Sequence, residues 1–224
     1  MRIDVITLFP GYVEQMVSES IVKRAREKGV VEIAVHNLRD WATDKYKSVD
    51  DHPYGGGPGM VLKVDVLHRA LTKVIGERVR KTIQVILLTP QGQVYKQKLA
   101  QELSKEKNLI LIAGHYEGFD ERIREYVDQE ISIGDYVLTG GELAAGILID
   151  SIVRLLPGAL GDDHSSKEES HSEGLLEYPQ YTRPEEYDSK KVPGILMGGN
   201  HKEIECWRKE QASERTKKRR PDLV

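Results

Sequence analysis

The chain has 224 residues, 39% of them hydrophobic and 31% charged, and its formal net charge is −3. This length can bury the core of one large domain with a small appendage, and the acidic balance excludes an overall basic surface for nucleic acid, so that any such surface must be local. The single cysteine, Cys206, excludes an internal disulfide framework and a multi-cysteine zinc site.

Strand and helix patterns alternate from the N-terminus onward. β-branched residues predict a strand over 2–8, apolar residues at helical spacing predict a helix over 11–28, and a second strand follows at 30–37. The segment 38–60 is polar and ends in PYGGGPGM, where glycines and prolines exclude a helix. Because the N-terminus lacks a signal-peptide pattern and no apolar run approaches the roughly 18 residues of a membrane span, we expect a soluble, cytoplasmic protein.

The alternation continues as far as residue 160. In chain order, the pattern predicts a helix over 64–75, a strand over 82–89, a loop at 90–93, a helix carrying Leu99 and Leu103, a strand over 108–114, a loop at 115–120, a short helix over 122–126, a strand ending at 131–134 and a helix over 142–155. Continuous apolar strands separated by helices are typical of a parallel sheet that is buried on both faces. The sequence therefore predicts one α/β domain over residues 1–160.

The composition changes after residue 160. Residues 161–190 contain nine acidic side chains against three basic ones, and DDHSSKEESHSE has no strongly apolar residue. We interpret this segment as a flexible linker between domains.

Residues 191–224 are predicted to form a small helical C-terminal domain. A helix over 201–220 would place Ile204, Trp207 and Arg208 near one face. The last 24 residues carry eight Lys or Arg against five Asp or Glu, and RTKKRR could contact phosphates, although such a run is often only a solvated tail.

Three glycine-containing loops follow predicted strands, at 87–92, 113–118 and 133–141. Loops after the strands of a parallel sheet share one edge, where α/β proteins bind ligands. Glycine lets backbone groups approach a flat ligand closely. Since none of the loops has a phosphate-binding pattern, a nucleoside-like ligand without a phosphate chain is favoured. The alternative is three ordinary turns.

Six motifs together resemble a known family. They are PYGGGPGM, AGHYEGFDERI, SIGDYVLTGGEL, DSIVRLLPGALG, GLLEYPQYTRP and GNHKEIECWR, in this order, within a similarity that runs from IDVITLFP to KRRPDL. The chain thus resembles the bacterial tRNA (guanine-N1)-methyltransferases, which are enzymes of the SPOUT class. The resemblance implies methyl transfer from S-adenosylmethionine to N1 of the guanosine 3′ of the anticodon, position 37 of tRNA.

The resemblance also implies a fold and a cofactor site. The fold would be a SPOUT-type parallel sheet with a deep trefoil knot, an exception to the rule against threaded chains, plus the small helical C-terminal domain. Binding of the tRNA anticodon arm, an obligate homodimer with a pocket completed by the other subunit's linker, and a Mg²⁺ dependence are further implications. The residues that would hold S-adenosylmethionine are Leu88, Thr89, Pro90, Gln91, Gly92, Gly114, Tyr116, Glu117, Gly118, Ile133, Gly134, Asp135, Tyr136, Val137, Leu138, Gly140 and Gly141.

Two residues would carry the chemistry. Guanine N1 holds a proton at neutral pH, so methylation needs a base and a partner for the charge that develops on O6. The resemblance assigns the O6 partner to Arg154 and the base to Glu169, where the family has aspartate. The glutamate carboxylate lies one methylene further out, which a mobile linker could absorb. Alternatively Arg154 caps its helix, Glu168 is the base, or both glutamates are solvated charges.

Other positions leave alternatives open. His171 and Ala144 stand where the family has phenylalanine and proline. His164 and His171 lack the closed ligand set of a zinc site, so we expect a solvated pair and no specified metal site. Cys206 is expected to be buried near Trp207. Two other functions remain, a non-catalytic RNA-binding SPOUT module and a SPOUT methyltransferase that acts on ribosomal RNA.

Overall fold

The computed structural model describes residues 1–160, 169–171 and 174–224. The chain divides into two compact units, Met1–Asp163 and His164–Val224. The strands are β1 (Arg2–Thr7), β2 (Glu32–Asn37), β3 (Asp50–Asp51), β4 (Val61–Leu62), β5 (Ile83–Val94), β6 (Asn108–Ala113), β7 (Gln129–Ser132), β8 (Glu186–Tyr187) and β9 (Lys190–Lys191). The α-helices are α1 (Pro10–Met16), α2 (Ser20–Glu27), α3 (Val64–Ile75), α4 (Gln97–Leu103), α5 (Glu142–Val153) and α6 (His201–Arg219). Short 3₁₀ helices span Leu38–Trp41, Arg80–Thr82, Glu121–Tyr126, Gly194–Met197 and Pro221–Leu223.

The first unit is an α/β fold around a five-stranded sheet in the order β2-β1-β6-β5-β7, and all its pairings are parallel. Successive side chains of a strand face opposite sides, so Leu111 joins one buried apolar cluster and Ile112 the other. Helices α1, α2, α4 and α5 contribute to the first cluster and α3 to the second. The continuous apolar strands in the sequence therefore correctly predicted a parallel sheet covered on both faces.

The predicted helix over 11–28 is wrong, because the structure has two helices there, α1 and α2. The Ser18 hydroxyl donates to the carbonyl of Gln15 at 2.8 Å, and its amide donates to the same oxygen at 3.3 Å. Serine side chains compete with the regular helical bonds in this way, which ends the first helix. The prediction of α3 over 64–75 is confirmed.

The predicted loop at 90–93 is also wrong, since β5 continues through these residues to Val94. Its pairing with β7 changes register, because Ile131 lies opposite both Leu88 and Gln93. The intervening residues therefore bulge out of the ladder while the strand continues. The segment predicted to be irregular, 38–60, contains β3, which pairs antiparallel with β4.

A buried acid lies in the middle of β1. The Asp4 side chain is fully buried and its carboxylate accepts from Arg2 at 3.0 Å, His36 at 2.8 Å and Arg78 at 2.9 Å. Burial alone would raise the pKa of Asp4, but the hydrogen bonds from His36 and Arg2 and the positive charges of Arg2 and Arg78 outweigh it and lower the pKa to about 2.

The second unit contains the β8–β9 hairpin and the long helix α6. Thr216, the one fully buried residue of α6 that the structure describes, accepts a hydrogen bond from the amide of Leu176 at 2.9 Å. The expectation that Cys206 is buried is wrong, because it lies on the exposed face of α6. Among the described residues, no helix is long and apolar enough to cross a bilayer.

Candidate active site

The bulged part of β5 and the loops after β6 and β7 surround one cavity of about 370 Å³ in the first unit. All the predicted cofactor residues except Gly92 and Asp135 line it, namely Leu88, Thr89, Pro90, Gln91, Gly114, Tyr116, Glu117, Gly118, Ile133, Gly134, Tyr136, Val137, Leu138, Gly140 and Gly141. The carboxyl ends of parallel strands bring these segments together from distant parts of the sequence.

The walls of the cavity are held by backbone contacts that only glycine allows. The Gly141 amide donates to the Gly114 carbonyl at 2.8 Å. A Cβ built on Gly141 would lie 2.7 Å from the Gly114 nitrogen, and one built on Gly114 would lie 2.7 Å from a ring carbon of Phe119. Backbone polar groups therefore stand at the cavity surface, where they can bind the edge of a flat ligand.

A tight turn shapes the third wall of the cavity. Gly134 has φ +146°, a conformation that side chains rarely adopt, and the Tyr136 ring packs against it. The Ser132 hydroxyl donates to the Gly134 carbonyl at 3.0 Å, and the Tyr136 amide donates to the same oxygen at 2.9 Å. The turn is thus fixed independently of any ligand.

Gly92 does not line the cavity and packs instead against the backbone of β7. A Cβ at this position would lie 2.6 Å from the Glu130 carbonyl oxygen, and the Ile131 nitrogen is also in contact range. The Tyr95 amide donates to the Ser132 carbonyl at 2.7 Å. The end of β5 therefore passes directly against the backbone of β7.

The motif PYGGGPGM supports the loop at 115–120. The Glu117 amide donates to the Met60 carbonyl at 3.0 Å, and the Leu62 amide donates to the Gly118 carbonyl at 2.9 Å. A Cβ on Gly59 would lie 2.5 Å from the Glu117 side chain. This glycine-rich segment holds the second wall in place, and the cavity itself is built from other residues.

Sequence reasoning missed an arginine at the rim of the cavity. Arg124 donates to the side-chain oxygen of Gln91 at 2.6 Å, pairs with Glu121 at 2.8 Å and also contacts Glu130. It thereby ties the first loop to the helix 121–126 and to β7. Charge alone gave no signal, because Arg124 is one of many charged residues and two of its partners, Gln91 and Glu130, lie on other elements of the fold.

A buried acid was missed as well. Glu142, at the start of α5, is 3% exposed and accepts a hydrogen bond from the Thr7 hydroxyl at 2.6 Å. Glu142 does not itself line the cavity. The residues of the wall that were missed besides Arg124 are His115, Phe119, Glu121, Ile131, Ser132, Thr139 and Ala144.

Arg154, one of the two predicted catalytic residues, does not line the cavity. Arg154 occupies the C-terminal cap of α5, whose N-terminus is at the cavity. Helix α5 has 12 residues, so at about 1.5 Å per residue its ends are about 18 Å apart. Glu169 belongs to the second unit, where it is half-buried. Glu168 and His164 lie outside the described residues.

The described part of the chain contains no metal site that would explain the implied Mg²⁺ dependence. Residues 1–160, 169–171 and 174–224 contain no group of three or more His, Cys, Asp or Glu side chains arranged to hold a metal ion.

The parallel sheet, with a cavity at the carboxyl ends of its strands, defines an α/β protein whose cavity lies where such proteins bind ligands. The model of the tRNA (guanine-1)-methyltransferase family, TrmD, matches residues 1–224. The chain belongs to this family of enzymes.

Similar proteins support the family membership along the whole chain. The protein named tRNA (guanine-N(1)-)-methyltransferase from Anoxybacillus flavithermus is 56% identical over 225 residues, covering 100% of this chain and 91% of the relative. Proteins of the same name from Geobacillus kaustophilus and Brevibacillus brevis are 55% and 56% identical with the same coverage.

Proposed function

We propose that the protein transfers a methyl group from S-adenosyl-L-methionine to N1 of the guanosine 3′ of the tRNA anticodon. The observation that carries the proposal is the cavity walled by the backbone of three loops, in a chain that belongs to the tRNA (guanine-1)-methyltransferase family over its whole length. A nucleoside edge can exchange hydrogen bonds with such walls, and the absence of side chains at Gly114, Gly140 and Gly141 lets neighbouring parts of the chain pack closely against them.

The methyl donor would be held by the predicted cofactor residues that line the cavity. The loop at 133–138 carries Tyr136 and Val137, which are 53% and 84% exposed and offer apolar surface to a base. When bound, the donor supplies an electrophilic methyl carbon on a sulfonium. The rigid turns at Gly134 and Gly141 keep the cavity open before the donor arrives, which reduces the ordering needed on binding.

The reaction requires two further groups. Glu169 takes the proton from guanine N1, the N1 lone pair forms the new bond to the methyl carbon, and the carbon–sulfur bond breaks with its electrons returning to sulfur. Arg154 donates hydrogen bonds to O6 as negative charge develops there. A target base turned out of its RNA stack would reach the cavity, as is usual for chemistry on a base edge.

The proposed fold includes the trefoil knot implied by the resemblance. The contact of Gly92 with the β7 backbone and the two separate pairings of β5 with β7 support a chain that passes close behind its own strand. The proposed domains are the knotted domain 1–160, the linker 161–190 and the tRNA-binding C-terminal domain 191–224.

We also propose a homodimer in which a second subunit completes each site. The distance of about 18 Å between the two ends of α5 supports this, because Arg154 lies far from the cavity of its own chain. Leu143 and Ile147 lie one turn apart on α5, are 41% and 44% exposed, and border a common shallow surface with Tyr136. Exposed apolar patches of this kind mark interaction sites.

Complementation between two impaired chains tests the shared site. Chains with Gly141→Ala, which damages the cavity, and chains with Arg154→Ala are co-expressed under two tags, and dimers carrying both tags are purified. If the sites are shared, one site per mixed dimer contains an intact cavity and an intact arginine, and activity returns to about half of wild type. Inactive mixed dimers would show that each chain builds its own site.

The function itself is tested with labelled S-adenosylmethionine and a tRNA transcript that has guanosine 3′ of the anticodon. The matched control transcript has adenosine there, and the proteins are wild type and Glu169→Asp. We expect wild-type transfer to the guanosine transcript alone and a rate in the aspartate variant that differs by up to about 10²-fold, the effect of moving a catalytic group by about 1 Å. Transfer to both transcripts, or to ribosomal RNA in competition, would contradict the proposal. Wild-type RNA binding without transfer would indicate a non-catalytic module.

A further inference from the structure

The second unit has a cavity of its own, of about 600 Å³, which the proposed reaction does not use. Val192, Leu196 and Ile204 form an apolar part of its lining, whereas Tyr181, two arginines (Arg183 and Arg208) and one acid (Glu185) also border it. We call it the C-unit pocket. A concave site that combines apolar surface with a few polar groups is typical of ligand binding.

Arg208 shows that the pocket lacks an acceptor. Its guanidinium lies over the Tyr178 ring, 4.6 Å from the ring centre, which fixes the plane of the group. Its Nε is buried and has no hydrogen-bond partner among the described residues. Buried N–H groups are almost always paired in folded proteins, so this one indicates an acceptor that the described residues do not supply.

The other residues that line the C-unit pocket indicate which chemical class of ligand would fit it. Tyr181 is 49% exposed, so one face of a flat ring is open for stacking. Arg183 is exposed and makes no ion pair with any residue the structure describes. Two guanidinium groups next to an open aromatic ring and an apolar surface suit a group that is both planar and anionic.

An unpaired nucleotide has these properties, because its base can stack and its phosphate accepts hydrogen bonds from arginine. A base within a duplex has both faces stacked on neighbours and cannot enter such a pocket. An apolar peptide would leave Arg183 and Arg208 unpaired, and a simple anion would leave the apolar surface and the Tyr181 ring unused.

We propose that the C-unit pocket binds one unpaired nucleotide of the RNA substrate other than the methylated guanosine. The base stacks on Tyr181, and the phosphate or the base edge accepts from Arg208 and Arg183. This inference rests on the proposed function, which supplies the RNA. The pocket would make the protein select RNA with an open loop over fully paired RNA, in addition to the selection made at the methylated base.

The test compares the affinity of each variant for two RNAs at one salt concentration. One is an anticodon stem-loop, and the other is a hairpin-free duplex of the same length. Tyr181→Ala is expected to weaken binding of the stem-loop about tenfold or more, the usual effect of losing one base–aromatic stack, with no change for the duplex or for S-adenosylmethionine. Arg208→Lys keeps the charge but loses the fixed plane and Nε, so it should also weaken the stem-loop selectively.

Two controls separate the pocket from general charge and from misfolding. Lys209→Ala removes one positive charge from the neighbouring position of α6, where the lysine pairs with Glu205, and should affect both RNAs equally. Tyr181→Phe keeps the ring and should bind both RNAs as wild type does.

Equal losses on both RNAs, or wild-type binding by Tyr181→Ala, would overturn the proposal. Methyl transfer by the wild-type protein is measured in parallel with the tRNA transcripts. If the protein transfers methyl groups but does not prefer the stem-loop over the duplex, the proposal for the C-unit pocket alone is refuted. If it prefers the stem-loop through Tyr181 but transfers no methyl group, the proposed function alone is refuted.

Discussion

Alanine at Gly141 is expected to damage the candidate active site by steric overlap alone. Gly141 has φ −81°, which alanine adopts freely, so the substitution causes no backbone strain. The new Cβ would lie 2.7 Å from the Gly114 nitrogen and 2.8 Å from the Ala113 Cα. The nearer contact is about 0.7 Å inside the 3.4 Å at which contacts become ordinary, and both neighbours are backbone atoms that cannot rotate away.

The overlap must move the third loop away from the second. Overpacking of this kind costs about 1–3 kcal/mol of unfolding free energy, a cost that a domain with a stability of about 5–15 kcal/mol survives. The hydrogen bond from the Gly141 amide to the Gly114 carbonyl, now 2.8 Å, would lengthen. Since both glycines line the cavity, we expect affinity for S-adenosylmethionine to fall on the order of tenfold or more, because each 1.4 kcal/mol of lost binding is tenfold.

Urea unfolding and calorimetric titration with S-adenosylmethionine measure the two effects. Gly11→Ala is the matched control, because a Cβ on Gly11 in α1 meets nothing within 4 Å. That control should bind the donor as wild type does and be as stable or up to about 1 kcal/mol more stable. If Gly141→Ala unfolds and binds like the control, the close approach of the two loops does not shape the site, and the reasoning is refuted.

Two further predictions concern charged residues. Arg154→Ala should lower turnover about 10²- to 10³-fold while changing donor affinity little, as expected for a group that acts on O6 in the transition state; equal losses in single-turnover rate and donor affinity would contradict that role. The pKa of Asp4 is about 2 in the folded state, below its ordinary value of 3.8. The ionised carboxylate therefore contributes about 2 kcal/mol to the free energy of unfolding above about pH 4. This contribution is lost as the pH falls toward 2. Asp4→Asn should therefore be less stable at pH 7 and show a flatter dependence of unfolding free energy on pH between 2 and 4, as measured by urea denaturation; an unchanged slope would show that Asp4 is not the titrating group.

Local patterns in the sequence predicted most of the first unit. The helix over 64–75 was found because its apolar residues recur at helical spacing over three turns, and the strands β5 and β6 because their runs are too apolar to face water. The prediction failed where contacts distant in sequence decide the structure. β5 continues past Leu88 because β7 pairs with it again at Gln93, and no local pattern carries that information.

The sequence likewise predicted some residues of the candidate site and missed others. The glycines at 114, 140 and 141 were found because glycine after a strand is conspicuous in a sequence. Arg124 was missed because its importance depends on Gln91 and Glu130, which only the folded sheet brings near it. The assignment of Arg154 and Glu169 came from the resemblance alone, because neither position differs in composition from a helix end or an acidic linker.

Donor binding and methyl transfer depend on different groups of residues. The whole cavity wall belongs to the first unit, whereas Glu169 belongs to the second and Arg154 lies at the far end of α5. The donor can therefore bind to a wall that is already formed, because the turns at Gly134 and Gly141 are held by hydrogen bonds within that unit. Under the proposed function, the groups that act on guanine reach the site when the proposed dimer assembles and RNA binds. On this view, substitutions in the glycine loops change donor affinity first, and substitutions at Arg154 and Glu169 change the rate first.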